Sequence, residues 1–508
     1  MSALWPMRHV ASREKKSGDK SCTLRTFLHV FKIPVCKHLC NKLGMHHIPD
    51  SSLMSEFQNA ELGDRRLTRR LLRLADALAQ QPAASIPAAT GNWGQTCGAY
   101  RFLDHPQLRP GDLLASHVNA TLARAATVPL ALAVNDTTAL NFNGRPATTG
   151  LGPIGNHADK TRGLLLHSLL AFTPQRQPLG LLDAPCWAHD PAAFGRNHQR
   201  NQRPLAEKES AKWLRSYETL CRLAAQTPQT QWLLVADREG DLYELFEQAL
   251  AVPGRPAVLV RMQHNRGVEQ SDARLFAHLA SAPLAGQLQV QVPRRPGQAV
   301  RTATVTLRYC AVRLSAPLLK PQHAPLAVWA VEAREEHAPR GVTPLHWRLL
   351  TTRPVQSVAA AVEVIQWYCV RWGIEVFHKV LKSGCAVEAA QLETAERLQR
   401  YLMIKLVVAW RAMALMHWGR EQPAAPISEL LAEDEWRVLR AVATRGQADA
   451  AMAVPTVAQA WRWIGQLGGH LGRRRDGWPG PLTLARGLQR LADLAAGWEQ
   501  AQAAKGCA

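Results

Sequence analysis

Residues 366–384, QWYCVRWGIEVFHKVLKSG, constrain the fold more than any other stretch of the chain. The stretch follows Pro354, contains no proline and meets Gly384 as a stop signal, so it predicts a helix. With Glu375 set as the zero of a helical wheel, Tyr368, Arg371, Trp372, His378, Lys379 and Lys382 all fall within about 60° of it. The remaining arc is Ile365, Cys369, Val370, Ile374, Val376, Phe377, Val380 and Leu381. Such a helix must be covered on most sides and leave one cationic and aromatic stripe, roughly 21 Å long, around a single carboxylate. An ordinary amphipathic helix with a basic face is the plainer reading, but a solvated face mixes Glu with Lys freely. This one reads as a site.

A chain of 508 residues is long enough for two to four domains with a sizeable core. Its net charge of +21, with only 20% of residues charged, favours a polyanionic partner, of which nucleic acid is the commonest. A membrane surface is the rival, but there is no uninterrupted apolar run of spanning length and no convincing signal peptide. The ten cysteines are scattered, and Cys221, Cys310 and Cys369 sit in apolar contexts, which suits a reducing cytosol better than a disulfide framework.

Residues 1–54 form a basic extension with little pattern, either disordered or a misread start with Met45 or Met54 as the first residue. Cys36 and Cys40, with His38, His46 and His47 nearby, resemble a zinc knuckle only weakly in spacing. Residues 55–122 read as a helical module. In NAELGDRRLTRRLLRLADALAQQP, Leu67, Leu71, Leu74 and Leu78 share one side, and Arg65, Arg66, Arg69, Arg70 and Arg73 occupy the others. A dense arginine surface suits a DNA-end reader, with a solvated basic helix as the bland alternative.

Residues 123–422 read as α/β. The runs 128–136, 164–172, 178–188 and 256–262 are strand candidates, 231–246 is a strand that ends at Asp237 and turns into a helix, and 207–226 is helical. A β-rich insertion of period-two segments spans about 264–345, and HWRLLTT (346–352) is a last strand before the Glu375 helix. Residues 397–418 predict a long buried helix, and Pro423 and Pro426 open a helical C-terminal part, 423–508.

Asp136 and Asp237 each close an apolar strand, and Glu375 sits mid-helix in the same unit. Neighbouring strand-end acids are costly without a cation, and a divalent metal supplies one. Three carboxylates and two metal ions suit phosphodiester chemistry, with arginine and lysine gripping the backbone. Taken singly, each Asp also fits an ordinary strand-to-turn position.

NDTTAL at Asp136, ADREGDLYELF at Asp237 and the pattern Tyr368-x2-Arg371-x3-Glu375-x6-Lys382 resemble the signatures of the DDE transposases of cut-and-paste bacterial insertion sequences. AELGD, GAYRF, GLLLHSLLAF, EKESAKW and a C-terminal LGG extend the resemblance over residues 56 to about 500. It implies a ribonuclease H-like mixed-sheet core with a β-rich insertion between helical end domains. It implies catalytic metal ligands Asp136, Asp237 and Glu375 holding two Mg²⁺, with Mn²⁺ accepted. Tyr368, Arg371 and Lys382 match phosphate-contacting positions; Trp347 and Trp372 match residues that stack a flipped base when DNA is cut through a hairpin. Arg261, Lys379, Arg65, Arg66 and Arg69 are further DNA contacts, and Arg473, Arg474 and Arg475 face DNA in the partner's half. The implied partners are the double-stranded element ends, target DNA and a second copy of the chain, with no membrane. The alternatives are a ribonuclease H-like nuclease that does not join strands, and a silent DNA-binding relative; the intact triad counts against silence.

Overall fold

A computed structural model describes residues 9–10, 53–155, 161–191, 208–269, 271–292, 301–318, 320–445, 453–473 and 476–506. Cys36, Cys40, Arg474 and Arg475 lie outside the described residues, as does nearly all of the N-terminal extension.

The chain enters as strand β1 (His9–Val10) and, after a turn at Leu53–Glu56, forms helices α1 (Arg65–Gln80), α2 (Ile86–Thr90), α3 (Trp93–Leu103) and α4 (Pro110–Ala125). The expected α1 starts later than the sequence suggested. Asp64 takes the extended N-cap conformation and its carboxylate accepts the Arg66 N–H at 2.7 Å, so AELGD stays outside the helix. Leu67, Leu71, Leu74 and Leu78 are all buried, and Arg65, Arg66, Arg69, Arg70 and Arg73 are exposed, as the wheel requires.

The sheet follows: β2 (Leu130–Asn141), β3 (Gly152–Pro153), β4 (Arg162–Phe172), β5 (Pro178–Asp183) and β6 (Cys186–Trp187). Helix α5 (Ala211–Ala224) leads to β7 (Gln231–Ala236), and α6 (Tyr243–Leu250) leads to β8 (Ala257–Arg261). Strands β2, β7 and β8 are parallel, and β4 lies antiparallel to β2. Because both faces are covered, these strands read as continuous apolar runs. Leu132 and Val134 pack on one face and Ala131 and Ala133 on the other, beneath Trp213, Tyr217 and Leu220 of α5.

Next come α7 (Leu275–Ser281), β9 (Gly286–Val292), β10 (Arg301–Leu314), β11 (Leu326–Glu335) and β12 (His346–Thr351). The β-rich block does not form a sheet of its own. Strand β12 pairs with both β11 and β8, so the whole is one mixed sheet in the order β1-β9-β10-β11-β12-β8-β7-β2-β4-β3.

Helix α8 (Val358–Val370), helix α9 (Trp372–Lys379) and a π turn (Val380–Gly384) replace the single α-helix expected over 366–384. The chain continues in α10 (Ala395–Glu421), α11 (Glu433–Ala443), α12 (Val457–Leu467) and α13 (Pro481–Gly506). Helix α10 is the one described helix long and apolar enough to cross a membrane, yet it is largely buried within the protein. It holds the N-terminal helices through cations: Arg400 donates to the Leu103 and Leu108 carbonyls, and the fully buried Lys405 donates to Pro82 O at 2.7 Å. Helices α12 and α13 touch at glycine, where a Cβ on Gly487 would stand 1.8 Å from the Ile464 carbonyl oxygen.

Candidate active site

Asp136 does not end its strand, as its sequence position suggested. Strand β2 runs on to Asn141, because β4 pairs with it through Asn141↔Gly163 and the β-branched Thr137 and Thr138 suit extended backbone. Asp237 does end β7: its carboxylate accepts the Glu239 N–H at 2.9 Å and caps a short 3₁₀ turn. The β2–β7 ladder matches Val134 with Val235, so two residues further on Asp136 stands beside Asp237. Period-two alternation puts Asp136 on the same sheet face as Val134, the face covered by α8 and α9.

Glu375 comes from α9. The break at Arg371 and the π turn after Lys379 separate Tyr368 and Lys382 from the α9 wheel, and the His378 edge of α9 packs on β4, so the stripe read from the sequence is not uniformly exposed. Tyr368 and His378 are buried, while Trp372 and Lys379 are exposed. The Arg371 guanidinium links two of the acids: it donates to Glu375 and lies 3.7 Å from the Asp136 carboxylate. The Arg371 guanidinium carbon is 5.9 Å from the Tyr368 ring centre, and burial raises the Tyr368 phenol pKa against the opposing charges of Arg371 and Arg261. Trp347 is half-buried and meets Tyr368 edge-on at 5.9 Å, whereas Trp372 is 41% exposed and open to a ligand ring. The Lys382 ammonium donates to the Ala139 carbonyl at 2.6 Å, so the π turn ties itself to β2. Arg261 donates to the His346 carbonyl. Arg65, Arg66 and Arg69 lie on a different element, α1, and take no part in this constellation; Arg473 lies after α12.

Burial is the largest cause that raises the Asp136 carboxyl from its ordinary 3.8 to about 6, followed by the charge of Asp237; the Thr137 N–H and Arg371 oppose it. The site therefore carries more negative charge than its protein surroundings neutralise. Among the described residues no three His, Cys, Asp or Glu side chains stand close enough together to hold an ion as they are, and Arg371 bridges two of the acids. The donors themselves fit: hard carboxylate oxygens with unmet negative charge suit a hard divalent cation.

The raised Asp136 pKa has a stability consequence. A carboxyl whose folded pKa lies above its unfolded value destabilises the fold once pH passes through both. Asp136→Asn should therefore be more stable than the native chain above pH 6, by about 3 kcal/mol at the limit, with the difference vanishing below pH 4. Urea midpoints across that pH range, without divalent ions, check it; an unchanged difference at low pH would contradict it.

Behind the acids lie His378, expected on the stripe around Glu375, and three residues that the sequence does not single out, Ser168, Thr137 and His167. Ser168 on β4 is registered directly opposite Asp136, and His378 Nε2 lies 3.2 Å from its hydroxyl. On the other sheet face, the Thr137 hydroxyl bonds His167 Nδ1 at 2.8 Å and the imidazole packs on Trp213. Burial pushes both imidazoles down to about 3, so they are neutral. The available signal was a His-Ser pair inside the otherwise apolar run LLLHSLLAF.

Residues 50–108 match the family model for transposase DNA-binding, residues 228–411 the transposase DDE domain, and residues 407–506 the transposase Tn5 dimerisation domain. Asp237 and Glu375 fall within the DDE match; Asp136 precedes it. Among solved structures, the cryo-EM structure of a piggyBac transposase synaptic complex with hairpin DNA aligns over 90% of this chain and 84% of that one. The identity is 12% and the TM-score 0.36, too loose a likeness to transfer geometry.

Proposed function

The chain belongs to the DDE transposases, DNA-binding and self-pairing enzymes that cleave and join DNA with divalent metal, and on that premise we propose how this one works. Asp136, Asp237 and Glu375 are its metal ligands, holding two Mg²⁺, with Mn²⁺ as a substitute. The supporting observation is electrostatic: Asp136 is pushed up to about 6 by burial and by the charge of Asp237, with Glu375 adding to the same shift.

When bound, the divalent ions lower the pKa of water and offset charge developing on the phosphodiester oxygens. The protein supplies the rest. Arg371 moves from Glu375 and Asp136 to a phosphate, since both roles use the same guanidinium donors. Tyr368, Lys382 and Arg261 hold neighbouring phosphates, with Lys382 giving up the Ala139 carbonyl. Trp372, already exposed, and Trp347, edge-on to Tyr368, stack the base displaced from the cut end. Lys379 and the exposed Arg65, Arg66 and Arg69 hold the duplex.

The sequence of events begins with water displacing the 3′-oxygen at the element end. The freed 3′-hydroxyl then attacks the opposite strand and leaves a hairpin, water reopens it, and the 3′-end attacks target DNA. Each event is one in-line exchange of oxygen at phosphorus, so one site serves all four. The domains are 55–122 for end binding, 123–422 for catalysis with the insertion at about 264–345, and 423–508 for pairing of two copies. The setting is a bacterial insertion sequence, with the protein in the cytoplasm on nucleoid DNA.

The test uses the full chain, labelled duplexes covering the DNA that flanks its own reading frame, and Mg²⁺ or Mn²⁺, with products separated on denaturing gels. Metal-dependent hairpin and joined products are expected. Nicks alone would favour a plain nuclease, and tight end binding with no product under either metal would favour a silent DNA-binding relative. Trp347→Ala should reduce hairpin formation about tenfold or more while sparing the first nick, since a lost stacking partner removes about 1–3 kcal/mol.

A further inference from the structure

Glu375 is only as well placed as the helix that carries it, and that helix is attached to β4 at points on either side of the carboxylate. Two residues before Glu375, Gly373 faces Phe172 so closely that a Cβ would stand 2.8 Å from its ring. Three residues after Glu375, the His378 imidazole reaches the Ser168 hydroxyl at 3.2 Å. Both members of that pair are buried, His378 to 7% exposure and Ser168 to 0%. Their partners on β2 are the telling part: Phe172 pairs with Leu132, and Ser168 pairs with Asp136.

We infer that His378, through Ser168, is a positioning residue that holds Glu375 at a set separation from Asp136. The inference rests on the reading of those acids as metal ligands given above. A buried imidazole and a buried hydroxyl are each costly without a partner, so an apolar pair would fill this space more cheaply if filling were the only task. What the hydrogen bond adds is direction: it sets the rotation and height of α9 against the strand pair carrying Asp136. Gly373 sets the closeness of approach at the other end. Carboxylates that must share ions tolerate misplacement of only about 0.5 Å, which is the margin such a link controls.

The experiment uses full-length protein with Ser168→Ala, His378→Leu, their combination, and His378→Gln, whose amide can restore a hydrogen bond. Mn²⁺ binding to the free protein is followed by electron paramagnetic resonance, and Mn²⁺-dependent cleavage of the flanking duplexes is followed alongside. Ser168→Ala and His378→Leu should each weaken Mn²⁺ binding by about 10–100-fold, the range for residues that orient ligands from behind. The double variant should be no worse than His378→Leu alone, and His378→Gln should recover most of the loss. Duplex affinity without metal and the melting temperature of Ser168→Ala should stay close to native.

Native Mn²⁺ affinity in all four variants would overturn the inference, as would additive losses that follow falling melting temperature. In either case, Mn²⁺ binding that still collapses in Asp136→Asn and Glu375→Gln leaves the metal-ligand reading standing. Mn²⁺ binding indifferent to those two substitutions would overturn that reading, and the positioning role with it.

Discussion

Glu375→Gln should lower cleavage and joining of end DNA by about a thousandfold or more while leaving end binding within about threefold of native. Glutamine keeps the size and the helix propensity of glutamate, so α9 keeps its place. What is lost is a negative oxygen donor. Several kcal/mol of transition-state charge stabilisation depend on it, and each 1.36 kcal/mol is a factor of ten. The substitution also frees Arg371 from its ion pair, which strengthens phosphate contact if it changes it at all. Loss of activity with binding retained is therefore the signature of a ligand. Loss of both would mean that Glu375 supports the fold, and full activity would remove it from the site. The measurement is a single-turnover gel assay beside a mobility-shift titration without metal.

Glu56→Gln should cost about 3–5 kcal/mol of stability at neutral pH, the range for breaking a buried ion pair on one side. Glu56 is buried, accepts from His117 Nδ1 at 2.5 Å and is held by both terminal nitrogens of Arg124 at 2.7 and 3.2 Å. His117 Nε2 accepts the Leu181 N–H at 3.0 Å, so its proton must sit on Nδ1 and point at the carboxylate. The imidazole is fully buried, and burial lowers its pKa. Arg124 also donates to the Leu179 carbonyl and lies 4.5 Å above the Trp410 ring. One carboxylate thus joins the turn before α1, helix α4, strand β5 and helix α10.

Burial alone would raise the Glu56 pKa, but the hydrogen bonds of His117 and Arg124 and the charge of Arg124 outweigh it and bring it from 4.5 down to about 2. Because the folded value is depressed, the contribution is present above pH 4.5 and is lost as pH falls toward 2. Its size at neutral pH is about 3 kcal/mol. Urea midpoints of Glu56→Gln and the native chain should differ most at pH 7 and draw together from pH 4.5 down toward pH 2. A gap at pH 2 as large as that at pH 7 would show that Glu56 acts through packing rather than charge.

Much of the site was legible because local chemistry declares itself. Asp237 closes an apolar run and caps the turn after it, as its neighbours demand. The arginines of α1 face away from its leucines because a 3.6-residue repeat leaves them nowhere else. Glu375, Arg371 and Tyr368 lie close together because they recur three to four residues apart on helical backbone. His378 was misread as part of an open stripe. His378 shares the unbroken α9 with Glu375, so its angle on the wheel holds, but that edge of the stripe lies against β4, where Ser168 covers it.

By itself, the sequence determined where most strands and helices lie and which face of each is apolar, though not every boundary. Those properties depend on side chains within a few positions of one another. Tertiary structure decided that the β-rich block extends the core sheet through β12, that Asp136 sits mid-strand opposite Ser168, and that Glu56 meets His117 and Arg124. Each is a pairing across tens of residues or more, settled by hydrogen-bond register and by burial of polar groups that must find partners. Such choices depend on which distant backbone arrives alongside, and no local repeat encodes that.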